Sequence, residues 1–413
     1  MQNGGHHSRL GDSWLLIAVL GATEIISYGS VFYSFSLLME PLQAALGASR
    51  GTVVGAFSVA LAVAGLCAMR IGSTIDRIGG RTVMALGSAA SALLLVALSR
   101  VETVAGLYGL YAGLGVAMAA TLYDPAFAVL ARHFRAGARA AITALTLIAG
   151  FSSTVFWPLT QALISHFGWR EAVFLLGMLN LLVCAPLHFA FLPGRGSEAP
   201  AAHDGGQAAP ASRSMREVLR EPAFYFLGGC FAVQGLVFSA MSVHMPSMMQ
   251  SKGLSAPTAV LVAALVGPMQ VLGRILELTA GRRWPIAHVG LLAMAGLVAA
   301  LAVFACSGGH AWPLVAFAAL YGMSNGVATI VRGTLPATMF GHRHYGAISG
   351  ALAAPQMFAL AAGPFVVSLL WMATGGYDPV LIALSGAAAA GLASLYAAHA
   401  AGRRLGQDGS GRT

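Results

Sequence analysis

The stretch Gly72 to Arg81, GSTIDRIGGR, sets three charged residues and three glycines between two long apolar runs, ALAVAGLCAM (60–69) and VMALGSAASALLLVAL (83–98). A tight charged reversal between such runs suits a chain that crosses an apolar layer, turns in water and crosses back. The whole composition agrees. Of 413 residues, 57% are hydrophobic and 9% charged, where a soluble domain carries about 25% charge. A soluble core cannot absorb that much apolar surface, so lipid must be the solvent for part of it.

Runs of spanning length fall near 14–36, 50–71, 81–99, 103–127, 140–164 and 170–192, then near 222–246, 256–278, 287–306, 311–335, 346–370 and 379–400. Each can cross a hydrocarbon layer of about 30 Å as a helix. Barrel strands would be shorter and would alternate, which these runs do not. Residues 194–222 between the two sets are rich in Gly, Ala, Pro and Ser, a linker composition, and SMREVLRE (214–221) can form a short surface helix. The expected fold is all-α and integral to a membrane: 12 transmembrane helices in two six-helix bundles. The bundles cover 1–193 and 222–401, joined by a cytoplasmic linker over 194–221 and followed by a tail over 402–413. YGLYAGLG (108–115) and YGMSNGVA (321–328) lie in the fourth span of each set and echo each other, as in a duplicated body.

The basic residues orient the chain. With the N-terminus inside, seventeen arginines, including Arg70, Arg77, Arg81, Arg132, Arg135 and Arg139, fall on the cytoplasmic side, against Arg50, Arg100, Arg170 and Lys252 outside. The net charge of +9 is thus spread over many loops of one membrane face, which removes nucleic acid as a partner. The start, MQNGGHHSRLGDS, lacks the pattern of a cleaved leader, so the first run is expected to remain as a helix. Cys67, Cys184, Cys230 and Cys306 lie in apolar surroundings without metal-like spacing, and neither a metal nor another cofactor is expected.

The charged turn resembles the signature loop of the major facilitator superfamily, G-x-x-x-D-R-x-G-R/G-R/K, with Gly72, Asp76, Arg77, Gly79, Gly80 and Arg81 at the family's spacing. The resemblance covers nearly the whole chain. It implies the major facilitator fold, a monomer, and a conformational latch in which Gly72, Asp76, Arg77, Gly80 and Arg81 hold cytoplasmic helix ends together in one state and release them in the other. Asp76 can accept hydrogen bonds from backbone donors at a neighbouring helix start and pair with an arginine. The plainer alternative is that Arg77 and Arg81 only set topology. The second-half counterpart, GRILELTAGRR (273–283), places Glu277-Leu278 where the first half has Asp76-Arg77.

SYG (27–29) and MEPLQAALGASRGTVVGAFS (39–58) resemble the start of monocarboxylate-porter and oxalate:formate-antiporter relatives, with Gly47, Ser49 and Arg50 on their loop. Gly273-Arg274 fits the eighth helix, where that family has a functional membrane arginine. There are departures: Gln270 replaces the aspartate of animal porters, Phe32 stands near the place of their first-helix lysine, and 346–370 lacks the lysine of oxalate exchangers. The resemblance therefore implies a bacterial relative carrying a monocarboxylate or another small metabolite. It would be multi-pass in the inner (plasma) membrane, with both termini cytoplasmic.

Ionised groups inside a membrane are expensive and usually face a cavity. Arg274 is the first candidate for gripping a carboxylate, because guanidinium stays charged and donates two parallel hydrogen bonds; a structural pair with Glu277 is the alternative. Arg332, deep in the tenth span, is expected to bind substrate or to pair across the cavity with Asp124, against an interdomain structural role. Asp124 and Glu24 are the candidate proton carriers, and each is equally well a fixed ion-pair partner. Tyr28, Tyr33, Tyr123, Asn325 and Gln234 are candidate substrate donors, against ordinary helix packing. His188 and His244 read as local hydrogen-bonding groups. Trp157-Pro158 and Pro355, Gly363 and Pro364 suggest bends that help gating, or simple packing.

The expected function is secondary active transport of a small organic anion, a monocarboxylate, by alternating access with proton symport. The partners are then a small-molecule substrate, the bilayer and protons. The alternative is a proton-driven exporter of drugs or other hydrophobic molecules, although the fifth span, LTLIAGFSSTVFWPLTQ, lacks the G-x-x-x-G-P-x-x-G-G stretch of such antiporters. No phosphate-binding loop occurs, and GHRH (341–344) reads as a basic loop rather than a catalytic cluster, so an enzyme is not expected. A non-transporting sensor is disfavoured by the complete latch and the membrane charges.

Overall fold

A computed structural model describes residues 4–194, 214–308 and 310–410, with side chains over 14–402 except at 136, 256 and 260. Residues 195–213 of the expected linker and 411–413 of the tail lie outside the described residues. Every regular element among those described is helical. The membrane-length helices are α1 (Trp14–Leu46), α2 (Arg50–Ile78), α3 (Gly80–Leu98) and α4 (Val104–Phe134), then the stretch Ala138–Phe191. Gly168, at φ 81° and ψ 161°, divides that stretch into α5 (138–167) and α6 (169–191). There follow α7 (Pro222–Ser251), α8 (Pro257–Thr279), α9 (Ile286–Ala305), α10 (Ala311–Phe340), α11 (Tyr345–Thr374) and α12 (Tyr377–Gly402). Twelve apolar helices thus form the expected all-α membrane fold.

Local chemistry sets the ends. Ser49, Thr103 and Ser255 accept backbone N–H groups at the starts of α2, α4 and α8, satisfying donors that a helix start leaves open. Met215–Val218 forms a single turn, with Ser214 and Glu217 in a capping box. Several helices are interrupted. Helix α1 passes through a π-helical segment at Tyr28–Tyr33 and α6 through another at Asn180–Cys184. Helix α4 breaks at Leu122, which is extended, and restarts as Tyr123–Phe134.

The chain forms two compact units. Unit 1 is Met1–Ser212 with Gly341–Ala354, and unit 2 is Arg213–Phe340 with Pro355–Thr413. The start of α11 therefore belongs with unit 1 and its remainder with unit 2. In unit 1, α2 packs on α4, α3 on α4 and α6, and α1 on α5 and α6. In unit 2, α8 packs on α10, α9 on α10 and α12, and α7 on α12. These are corresponding pairs six helices apart, as duplication predicts. Glycines of the two echoing segments make corresponding close crossings: a side chain at Gly115 would overlap the Ala60 backbone of α2, and one at Gly326 the Gln270 backbone of α8. Leu66, Leu93, Phe189, Trp312 and Phe365 are more than half exposed, an outer surface suited to lipid rather than water.

Candidate functional site

The charged turn resolves into separate jobs. Gly79, at φ 85°, ends α2 and makes the reversal, and its N–H donates to the Ile75 carbonyl at 2.9 Å. One turn earlier, Asp76 Oδ1 accepts from the Gly346 N–H at 3.0 Å and Oδ2 from the Ala347 N–H at 2.8 Å. Those are free donors of the first turn of α11, where the peptide dipoles favour a negative charge. A side chain at Gly72 would overlap the Gly346 backbone, and one at Gly350 the Ala68 backbone, so glycine is required for α2 and α11 to approach this closely. Gly80 is buried against Val129. Arg81 Nε donates to the Leu192 carbonyl at 2.8 Å, tying down the end of α6. Arg77 is exposed.

The arginine nearest Asp76 comes from outside the motif. Arg132, at the end of α4, lies 3.8 Å from Asp76 Oδ1 and donates to the Ile75 carbonyl at 2.8 Å. No motif spacing announces it, because α4 brings it in through the fold. Just before α11, the half-buried His342 bonds to the Ala131 backbone. Burial, and then the Arg135 guanidinium, push its pKa below the usual 6.5, while the Ala131 bond works against them.

Glu24 lies in the interior of unit 1 with 0% exposure. Around it runs a polar seam joining α1 to α6 and α3. Asn180 Nδ2 donates to Ser30 Oγ at 2.7 Å, and His188 meets Thr23 Oγ1 at 2.9 Å and Ser88 Oγ at 3.0 Å. Thr23 already donates to the Val19 and Leu20 carbonyls. His188 thus links Thr23 of α1 to Ser88 of α3, and its Nδ1 also lies 3.3 Å from the Met84 carbonyl. His188 is the local hydrogen-bonding group that its sequence setting suggests. Two other candidates come together nearby: the Tyr28 and Tyr123 rings have centroids 4.7 Å apart. Asp124 follows Tyr123 in the first turn of the restarted α4 segment and is partly buried.

In unit 2, Arg274 and Glu277 sit on the inner segment Val266–Thr279 of α8 at 5% and 3% exposure. Arg332 of α10 is 8% exposed and donates from Nη1 to Gln356 Oε1 of α11 at 2.7 Å. Gln356 is a partner that sequence reading did not single out, since a lone glutamine beside Pro355 carries no signal. Asn325, 6% exposed, lies two turns before Arg332 on the same face, and its Nδ2 has no hydrogen-bond partner among the described residues. Helices α8 and α10 cross closely here, with Gly273 against the Met323 backbone and Gly326 against Gln270. Unit 2 thus holds two buried guanidinium groups, the buried carboxylate of Glu277 and an amide donor, and guanidinium is the group among them that suits an anion. No group of three His, Cys, Asp or Glu residues placed to hold a metal ion occurs among the described residues.

The family model for the Major Facilitator Superfamily matches residues 20–364. Human monocarboxylate transporter 11 is 29% identical over 342 residues, covering 79% of this chain and 70% of that protein. An uncharacterized MFS-type transporter of Bacillus subtilis (strain 168) is 27% identical over 165 residues, 39% of this chain and 40% of that protein. Among solved structures, the E. coli fucose:proton symporter (N162A) superposes with a TM-score of 0.68 at 12% identity, covering 92% of this chain and 98% of that one. The human organic anion transporter MFSD10 superposes with a TM-score of 0.63 at 18% identity, covering 93% and 97%.

Proposed function

The chain belongs to the major facilitator superfamily, and from that premise we propose that it moves a small organic anion, a monocarboxylate, together with a proton. As a family member it is a multi-pass membrane transport protein, not an enzyme, and a secondary transporter of small organic molecules working by alternating access. The observation that carries the anion reading is the pair of arginines held inside unit 2, Arg274 at 5% and Arg332 at 8% exposure. Guanidinium keeps its charge in such a setting and grips a carboxylate through paired hydrogen bonds. Likeness to a monocarboxylate transporter over 79% of the chain supports the same cargo class. The proton rides on Asp124 or Glu24, whose carboxyl groups lie within membrane-spanning helices of unit 1. The turn at 72–81 acts as the latch on the start of α11. The arginine distribution supports cytoplasmic termini in a bacterial inner membrane, and the protein works as a monomer.

The test is uptake of radiolabelled pyruvate, lactate and acetate into proteoliposomes, with and without an inward proton gradient. Gradient-stimulated uptake that Arg274→Ala abolishes is expected. Wild-type uptake by that variant refutes the role of Arg274. Failure to move any acid, with proton-dependent export of a cationic drug instead, refutes the anion reading. Of Asp124→Asn and Glu24→Gln, the carrier's variant should lose stimulation by the gradient but keep exchange across the membrane.

A further inference from the structure

Glu24, Ser27, Ser30 and Ser34 follow one another at three- and four-residue steps along α1, and all four are buried inside unit 1. Neighbouring helices of the same unit meet this row with polar groups of their own. On α6, Asn180 bonds to Ser30, Cys184 lies beside Ser27 and within electrostatic reach of Glu24, and His188 bonds to Thr23. On α3, Ser88 bonds to His188, and Ser91 follows one turn later, where α3 packs on Asn180–Cys184. From α5, Ser152 donates to the Ile25 carbonyl at 2.8 Å, and Thr160 lies one turn beyond Phe156, the ring against Gly29. The Asn180–Ser30 bond joins the two π-helical segments, Tyr28–Tyr33 and Asn180–Cys184. Such interruptions recur at functional sites.

Hydrogen bonding in this seam is incomplete in a specific way. Both N–H groups of the Asn180 amide are used, on Ser30 Oγ at 2.7 Å and on the Leu176 carbonyl at 3.0 Å. The Ser30 hydroxyl itself donates to the Ile26 carbonyl at 2.6 Å. Asn180 Oδ1 therefore still needs a donor, and it has none among the described residues; Ser91 Oγ and Thr160 Oγ1 have no partner there either. All three residues are fully buried. A buried polar atom is costly unless it is hydrogen-bonded, and bound water is the usual partner where protein groups do not serve. Water both donates and accepts, so it suits an amide oxygen and two hydroxyls set on three different helices.

We propose that bound water completes this seam and makes it a proton path inside unit 1, with Glu24 rather than Asp124 as the carrier it serves. The inference rests on the proton-coupled reading above and names its route and carrier. A proton entering the seam forms an O–H bond on one water, which passes another of its protons to the next. The last transfer goes to a Glu24 carboxylate oxygen and leaves a neutral carboxyl group; release runs the same steps backwards. The titratable groups set around Glu24 are Cys184 and His188 of α6, with Asp124 on α4 beyond the Tyr28–Tyr123 contact. Helices α3 and α5 bring the hydroxyls of Ser88, Ser91, Ser152 and Thr160, whereas α4 supplies none of the groups that line the seam.

Two measurements on the full chain test the proposal. Infrared spectra of the protein in lipid, without cargo, follow the carboxylic C=O stretch assigned to Glu24 by its loss in Glu24→Gln. The rate at which that band shifts on transfer from H2O to D2O reads proton access. Ser91→Ala removes only an oxygen without a partner, so it should fold as the wild type does, yet slow the shift about tenfold or more by taking away an anchor for water. Asn180→Leu should slow it further. In proteoliposomes, both variants should lose more of the proton-gradient-driven uptake than of gradient-free exchange, and Glu24→Gln should lose the stimulation altogether. A shift as fast in Ser91→Ala as in the wild type overturns the inference, as does a Glu24 with no protonated form between about pH 5 and 8. Stimulation kept by Glu24→Gln and lost by Asp124→Asn overturns it too. Failure to move any acid, with the infrared shifts as expected, defeats the anion reading and leaves the proton path standing.

Discussion

Asp76 reaches across 270 residues of sequence to accept the backbone N–H of Gly346 at 3.0 Å, and with its second oxygen takes the next N–H, of Ala347, at 2.8 Å. One carboxylate on α2 therefore caps the first turn of α11. The glycines at 72 and 346 exist to let it reach, because a side chain at either would enter the other's backbone.

Asp76→Asn keeps the shape but removes the charge and one of the two acceptors. Hydrogen bonds to a charged group contribute roughly 1.5–3 kcal/mol, so thermal stability in detergent should fall by a measurable margin and uptake should slow. Gly72→Val should act more severely by pushing the start of α11 away. Protection of the Gly346 and Ala347 amides in hydrogen exchange reads both effects.

Arg132 and Arg77 separate contact from topology. Arg132 lies beside Asp76, whereas Arg77 is exposed. Arg132→Met should cost about 1–3 kcal/mol by taking a buried carboxylate's neighbour away, while Arg77→Met should stay within about 0.5 kcal/mol. Equal melting shifts for the two variants would contradict the assignment of Arg132 as partner.

His342 gives the docked loop a pH dependence. Burial and Arg135 push its pKa below 6.5 in the folded state, so the folded protein favours the neutral ring. The stabilisation is fully present above pH 6.5, the unfolded value, and is lost as pH falls from there towards the folded value. After correction for intrinsic rates, exchange at Gly346 and Ala347 should quicken between pH 7 and pH 5.5 in the wild type. In His342→Gln that change should be much smaller.

Gln356 holds Arg332 at 2.7 Å. Gln356→Leu removes one acceptor of the buried Arg332 guanidinium, a loss of about 1.5–3 kcal/mol for a hydrogen bond to a charged group. Gln356→Glu adds a competing carboxylate instead. If Arg332 grips the cargo, the Glu variant should raise KM for the transported anion about tenfold or more with thermal stability retained. Unchanged KM in a well-folded Glu variant would remove Arg332 from the site.

His188→Phe should destabilise unit 1 by about 1–3 kcal/mol, because Thr23 and Ser88 each lose a buried partner. Adding Ser88→Ala to that variant should cost less than Ser88→Ala alone, which a double-mutant cycle on melting temperature would detect.

The residues most legible in the sequence were those whose job follows from type and local spacing. GSTIDRIGGR announced a turn because glycine and charge interrupt apolar runs, and in the structure Gly79 makes that turn. SMREVLRE (214–221) was legible as a short helix, and Met215–Val218 forms one turn of it. Arg132 and Gln356 were not legible, because their partners come from other helices. The rings at Tyr28, Phe32, Tyr33 and Tyr123 stood in plain view, but ideal helical spacing does not bring them together. The π-helical turn and the break at Leu122 do, and neither is written as a residue type.

By itself the sequence determined the solvent, the number of crossings and the all-helical fold. Those follow from apolar run length and from the backbone's need to satisfy its own hydrogen bonds in lipid. Tertiary structure alone decided which donors Asp76 caps, which amide steadies Arg332 and which rings share a face. Each of these depends on where separate helices cross and on local departures from ideal helical geometry, and neither is fixed by composition or periodicity.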